Sequence, residues 1–237
     1  MDVSVIIPVY NEGERITACL DSVFAVPGVG EVLVVYDSAE DTTAPPLARY
    51  AAREPRLCPL LNTYGRGPAN AIRFGFDAAT KPVSVVSMAD GSDEVSQIAE
   101  LAGLVESGAV IAAGSRYMRG GRQLGGPLIK GLMSRIAGVS LYHLARVGTR
   151  DATNSFKAYR TDFVRAAGIE SEAGFEVGIE LVAKARRARL RVVEIPTTWR
   201  DRTEGQSRFR LLRWIPKYLR WYFHAFGRRL PIEGFTP

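Results

Sequence analysis

The chain has 237 residues, 46 % of them hydrophobic, which suffices for one large domain or one domain with a short appendage. Its 31 Lys and Arg stand against 25 Asp and Glu, a net charge of +6, and the excess sits in the last third, so the charge is local. The run Val3–Val9 is short and holds Pro8, and no apolar run approaches the roughly 18 residues of a membrane span, which argues against a leader and a spanning segment.

Cys19 and Cys58 have neither metal-site spacing nor enough company for a disulfide framework, as expected in a reducing compartment. A cytoplasmic location is therefore expected.

Val3–Ile7 reads as a buried first strand, broken by Pro8-Val9-Tyr10-Asn11-Glu12-Gly13. Glu14–Phe24 has helical spacing, and Val32–Val35 is a second strand running into Tyr36-Asp37-Ser38-Ala39-Glu40-Asp41. A helix near Pro45–Arg53 and a weak strand at Leu57–Leu61 follow. Asn62-Thr63-Tyr64-Gly65-Arg66-Gly67-Pro68-Ala69-Asn70 then leads into a helix over Ala71–Ala79. Alternating strand and helix signals predict an α/β protein with a mostly parallel, doubly wound, Rossmann-like sheet. Right-handed crossovers would gather its polar loops at one edge.

The fourth strand, within Pro82–Ser87, ends abruptly in Met88-Ala89-Asp90-Gly91-Ser92-Asp93-Glu94. Acids at the carboxyl end of such a strand are hard oxygen ligands suited to Mg²⁺ or Mn²⁺ and, through the ion, to a diphosphate. The same acids also suit a solvated loop that caps the next helix. Gln97–Glu106 reads as a helix and Ala109–Ala113 as a fifth strand delivering Gly114-Ser115-Arg116-Tyr117. A glycine-rich loop (Gly120, Gly121, Gly125, Gly126) precedes a helix over Leu128–Leu144 and has the length of a mobile lid. Asp151–Tyr159 reads as loop and strand, Phe175–Arg187 as a helix and Leu190–Ile195 as the last strand.

The ordered set of motifs resembles family 2 glycosyltransferases, and within them the dolichyl- or polyprenyl-phosphate mannose or glucose synthases. The residues that carry the likeness are Val3–Glu12, the Asp37…Asp41-x-Thr43 loop, Gly65-x-Gly67…Ala71, the acidic loop and Gly114-Ser115-Arg116-Tyr117. Asp151-x-Thr153-x-Ser155-Phe156 and Arg202-x-x-Gly205-x-Ser207-Arg208 complete it, so that it covers about residues 2–209. The resemblance implies a GT-A fold, a nucleotide-diphosphate sugar donor, a divalent cation (Mg²⁺ or Mn²⁺) and inversion at the anomeric carbon.

It also implies site residues. Pro8, Tyr10, Asn11, Glu12, Asp37, Gly65, Gly67, Ala69, Ala89 and Asp90 would line the nucleotide sugar. Arg116, Lys130, Ser134, Arg202, Ser207 and Arg208 would hold the phosphate of a polyprenyl phosphate acceptor. Lys130 and Ser134, four apart on one predicted helix, share a face. Where relatives carry an Asp-x-Asp, this chain has Met88-Ala89-Asp90, so Asp90 is expected to be the metal ligand, with Asp93 replacing the missing one. Relatives' first Asp after the second strand is here Tyr36.

The catalytic domain is expected over 1–207 and a basic amphipathic helical tail over 208–237. In that tail Arg210, Arg213, Lys217, Arg220 and His224 fall on one side of a helix, and Leu211, Ile215, Tyr218, Tyr222 and Phe226 on the other. Basic and aromatic, it reads as a helix lying in a membrane interface, with packing on the domain core as the alternative. His143 and His224 lie outside every motif and are expected to be structural, His143 packed in its helix.

Two other functions remain open on the sequence. One is a soluble hydroxyl acceptor, which needs a carboxylate base such as Asp151 or Glu176. The other is a nucleic-acid-binding module using the basic tail. The acceptor reading expects a membrane surface and no nucleic acid as partner.

Overall fold

The apolar run at the N-terminus forms β1, Val3–Val9, with every residue buried. The structure, a computed structural model, describes residues 2–172, 174–201 and 211–236, with side chains in the last stretch from 215 onward. A 3-10 turn leads from β1 into α1, Ile16–Phe24, whose Ile16, Leu20 and Val23 are buried at helical spacing. β2 (Val29–Tyr36), α2 (Ala44–Ala51) and β3 (Leu57–Leu61) follow. α3, Pro68–Ala78, opens on a proline, where the missing N–H costs nothing. Then come β4 (Val83–Val86), α4 (Ile98–Glu106), β5 (Ile111–Ser115) and β6 (Arg122–Leu124). α5, Leu128–Ser140, continues into a π turn over Leu141–Ala145. The chain ends with β7 (Lys157–Arg160), α6 (Thr161–Ala167), α7 (Val177–Ala188), β8 (Val192–Pro196), β9 (Thr198–Arg200) and α8 (Leu211–His224).

The main sheet runs β3-β2-β1-β4-β7-β5-β8, and its pairs are parallel except those made by β7, which is antiparallel to β4 and β5. Lys157, the first residue of β7, faces Val86 and Ala113 near the far ends of β4 and β5. The chain thus enters β7 from the carboxyl edge, and the 151–156 loop lies on the same edge as the loops after β1, β2, β4 and β5. Alternation along β1 divides the core. Val5 and Ile7 join α1, α2 and α4 on one face. Ile6 joins Phe76 of α3, Phe163 of α6 and Leu181 of α7 on the other. β6 and β9 form a separate two-stranded ribbon that the sequence did not reveal, since each has only three residues and no apolar run.

α8 packs on the domain rather than away from it. Trp221 and Ala225 are buried in the second core, and the Trp221 indole N–H donates to Ser171 Oγ at 3.1 Å. Arg220 pairs with Glu170 at 2.5 Å, and Arg187 of α7 meets the His224 ring. The basic row of the tail therefore turns onto the protein at Arg220 and His224, because Trp221 beside them is an anchor. His143, expected inside its helix, is exposed on the π turn with an edge-on contact to Tyr142.

Trp221→Ala should cost about 3–5 kcal/mol, a large aromatic truncation in a packed core. The check is a thermal or urea denaturation curve beside that of the exposed control Phe223→Ala, which should lose far less.

Candidate active site

Three loops at the carboxyl edge lock one another. Asn11, in the left-handed region at φ 55°, donates its backbone N–H to Asp41 (3.0 Å to Oδ2) and accepts from Thr42 N–H at 3.1 Å. Glu12 N–H donates to Thr43 Oγ1 at 2.9 Å. Asp37 accepts from Asn62 Nδ2 at 2.8 Å and from Gly67 N–H at 2.7 Å, joining the β2 loop to the β3 loop. Gly65 and Gly67, at φ +104° and +115°, adopt backbone that other residues rarely take.

Tyr10 is exposed, and Glu12 reaches Arg15 at 3.4 Å. Pro8 is buried within β1, and Ala69 and Ala89 turn their methyls into the two cores. Of the sequence-derived nucleotide set, these three can offer a ligand backbone only.

The acidic loop caps itself. Asp93 Oδ2 accepts Met88 N–H at 2.8 Å and the Ser87 hydroxyl at 3.3 Å, while Asp90 Oδ1 accepts Ser92 N–H at 3.1 Å. Burial, and Asp90 beside it, push the Asp93 carboxyl up to about 7. The Cys19 thiol packs beneath at 3.8 Å from Met88 O, and burial together with these acids raises it to about 12. Among the described residues no group of three or more His, Cys, Asp or Glu is spaced to hold a metal. The donors at hand are hard carboxylate oxygens, and Asp93 has one of its two committed to the loop. A cation here would need the remaining ligands from a diphosphate and water.

Within reach of the Asp93 charge lies a hydrogen-bonded cluster around Arg116. Its Nε and Nη2 donate to Asp151 Oδ2 and Oδ1 at 2.7 and 2.9 Å, and its backbone N–H donates to Oδ2 at 3.0 Å. Nη2 also reaches Ser134 Oγ at 3.2 Å, and the Tyr117 hydroxyl donates to the same Oγ at 3.0 Å. Burial would raise the Asp151 carboxyl, but the guanidinium overrides it and holds Asp151 below its ordinary range. Asp151 is fully buried with both oxygens engaged, so it cannot take a proton from an acceptor. Glu176 is buried at the start of α7, its Oε2 has no hydrogen-bond partner among the described residues, and it does not line the cavity.

α5 reaches the cluster by a close approach. A Cβ on Gly138 would stand 2.1 Å from the Arg150 carbonyl oxygen, so only glycine lets the helix touch that loop and set Ser134 against Thr153. Lys157 underpins the loop from below, fully buried, with its ammonium donating to the carbonyls of Ala152 (3.2 Å) and Asn154. Burial brings Lys157 down to about 7.

A cavity of about 360 Å³ takes in both the acidic loop and the Arg116 cluster. Asp90, Asp93 and Asp201 line it together with Arg116, Lys130 and Ser134, and Met133, Ile179, Tyr218 and Tyr222 add apolar surface. Asp90, Asp93, Arg116, Lys130 and Ser134, named separately from sequence, thus share one chamber. Arg202, Ser207 and Arg208 lie outside the described residues, as does the part of the tail up to Arg210. The sequence reading missed Tyr117, Thr153 and Trp199. The first two sit inside motifs it quoted, whereas Trp199, whose ring lies 5.9 Å from the Arg116 guanidinium, follows no pattern.

The profile described as Glycosyl transferase family 2 matches residues 4–168. A dolichol-phosphate mannosyltransferase of Pyrococcus furiosus is 30 % identical over 234 residues, 93 % of this chain and 64 % of the relative, so the chain spans just under two thirds of that protein. A polyprenol monophosphomannose synthase of Mycolicibacterium smegmatis is 32 % identical over 211 residues, 86 % of this chain and 79 % of the relative. Among solved structures, the glucosyl-3-phosphoglycerate synthase of Mycobacterium tuberculosis with Mn²⁺, UDP and glucosyl-3-phosphoglycerate superposes with a TM-score of 0.69 at 17 % identity, over 96 % of this chain and 80 % of that one. The fold is GT-A.

Asp151→Asn should destabilise the protein by about 3–5 kcal/mol, because it leaves a buried guanidinium without its counter-charge. The readout is the urea midpoint.

Lys157 gives a pH signature of definite sign. Its folded value lies near 7 against 10.5 in the unfolded chain, so between those values the unfolded state binds the extra proton. Stability from this group therefore rises with pH through that window, by at most about 1.4 kcal/mol per pH unit. Unfolding curves at increasing pH should show the slope in the native protein and its loss in Lys157→Met.

Proposed function

Because this chain belongs to glycosyl transferase family 2, we propose that it moves a hexose, mannose by analogy with its relatives, from a nucleotide-diphosphate sugar to a polyprenyl phosphate. The observation that carries this reading is the cavity itself, whose lining brings together carboxylates, a cation and hydroxyl cluster, and apolar residues of α5, α7 and α8. A phosphate monoester with a prenyl chain needs those last two features together, whereas a soluble sugar needs neither.

The chemistry asks little of a base. A phosphate monoester is already anionic at neutral pH, so its oxygen can attack the anomeric carbon directly while the bond from that carbon to the diphosphate oxygen breaks. Attack from the opposite face inverts the centre, and the nucleoside diphosphate leaves with the electron pair. Lys130 and Ser134 would hold the acceptor phosphate, with Arg116, itself held by Asp151, as the third donor. Asp90 would hold a divalent cation, Mg²⁺ or Mn²⁺, which when bound supplies Lewis-acid stabilisation of the departing diphosphate. The locked loops carrying Tyr10, Asn11, Glu12 and Asp37 would shape the base and ribose site. Such an acceptor places the enzyme on a membrane, and the cytoplasmic face is where nucleotide sugars are expected. No helix of the described residues is long and apolar enough to cross one.

Lys130→Ala should lower kcat/KM for polyprenyl phosphate about ten- to a hundredfold, the loss of one charge-assisted phosphate contact of roughly 1.5–3 kcal/mol, and leave donor affinity unchanged. Asp90→Asn should abolish the dependence of nucleotide binding on Mg²⁺ or Mn²⁺ in a folded protein. Calorimetry of the donor, run beside transfer rates, decides. Equal losses of donor binding and transfer in Lys130→Ala would assign that residue to the nucleotide instead.

A further inference from the structure

α5 shows the solvent what a helix normally hides. Leu128 is 88 % exposed, Ile129 69 %, Leu132 60 % and Ile136 60 %, and Leu144 on the following π turn is 69 % exposed. Over Leu128–Ser140 the buried residue is Gly138, at the close approach to Arg150. The helix therefore stands on a narrow edge with its aliphatic side unpartnered, which is unusual for a folded surface.

The two stretches that carry that face are basic, with exposed Asp201 at the adjoining cavity. Residues 107–150 contain no Asp or Glu, and Arg119, Arg122, Lys130, Arg135 and Arg146 are exposed among them. Residues 205–232 are likewise free of acids. From that second stretch α8 adds exposed Leu219 and Phe223. The cavity runs between the two helices, lined by Met133, Ser134 and Ala137 of α5 and by Tyr218, Leu219 and Tyr222 of α8.

A second copy is a poor cover for such a face, since a two-fold contact would set cations against cations. An anionic lipid surface answers both features, because acyl chains take the aliphatic side and headgroups take the arginines. At 1.5 Å per residue α5 is about 20 Å long, too short to span a bilayer and suited to lying in its plane.

We propose that α5 is a membrane-docking element, inserting Leu128, Leu132 and Ile136 into the acyl boundary of an anionic leaflet so that the cavity mouth between α5 and α8 opens toward the bilayer. The tail helix is then the neighbour of the docking element. The direction of the mouth rests on the polyprenyl-phosphate reading, but docking of α5 does not, and it is measurable without acceptor or donor.

The test uses the full chain and vesicles of phosphatidylcholine with or without phosphatidylglycerol, with binding read by co-sedimentation. The native protein should pellet with the anionic vesicles, and raised salt should weaken it. Leu132→Ser with Ile136→Ser removes two large aliphatic groups, each worth about tenfold in partitioning, so binding should fall about a hundredfold with the circular dichroism spectrum unchanged. Arg135→Gln should weaken binding to anionic vesicles alone. Unchanged vesicle binding in the folded double variant would overturn the proposal. So would a native dimer in lipid-free sedimentation that the double variant dissociates, since the face would then belong to a second copy. Loss of vesicle binding in the double variant, together with failure of the native protein to transfer to any polyprenyl phosphate even in detergent, would leave docking standing and remove the acceptor reading instead.

Discussion

The paired charges of Arg116 and Asp151 hold the site in its shape. One closes the exit of β5 and the other opens the loop into β7, so the bidentate contact fixes two strand ends that run in opposite directions. Burying two ions costs more than burying two apolar groups of the same size, so stability alone is a poor reason for such a pair. Its use here is positional. Thr153, two residues beyond Asp151, meets Ser134, and Ser134 in turn receives Arg116 and Tyr117, so the pair sets the register of α5 against the sheet.

The approach of α5 depends on a second constraint, the absence of a side chain at Gly138. Ser134 stands one turn before it and Lys130 one turn before that, so both are aimed by the same contact. The consequence on the opposite side of the helix is exposed aliphatic surface, and an amphipathic helix without a core to cover is an unusual expense for a protein of this size. Asp37, Asp41 and Thr43 tie the loops after β1, β2 and β3 together at the strand ends, while α5 and α8 both line the cavity.

The alternation of strands and helices, the mostly parallel sheet and the gathering of loops at one edge were legible from hydrophobic periodicity. The direction of β7 was not, because a short apolar strand reads the same both ways and only its partners decide. The tail was read on a helical wheel, which gives the faces of a helix but not which one the fold keeps. Trp221 buries itself, and Arg220 and His224 on either side of it meet Glu170 and Arg187 of the domain. Asp151 illustrates the same limit for chemistry, since a carboxylate in a motif reads as a base until its two oxygens are found on a guanidinium. For α5 the spacing predicts a helix with Lys130 and Ser134 on one face, but sequence alone cannot say that nothing covers its apolar residues.

The central claim is that one cavity holds donor and acceptor, with Asp90 at the first and Lys130 and Ser134 at the second. A crystal structure with Mn²⁺, a nucleoside diphosphate and a short-chain prenyl phosphate measures this directly through anomalous scattering from the cation and density for the acceptor phosphorus. The account predicts the cation on Asp90, the acceptor phosphate within hydrogen-bond reach of Lys130 and Ser134, and the prenyl chain leaving between α5 and α8. An acceptor phosphate bound away from Lys130 and Ser134, or a cation held without Asp90, would contradict it.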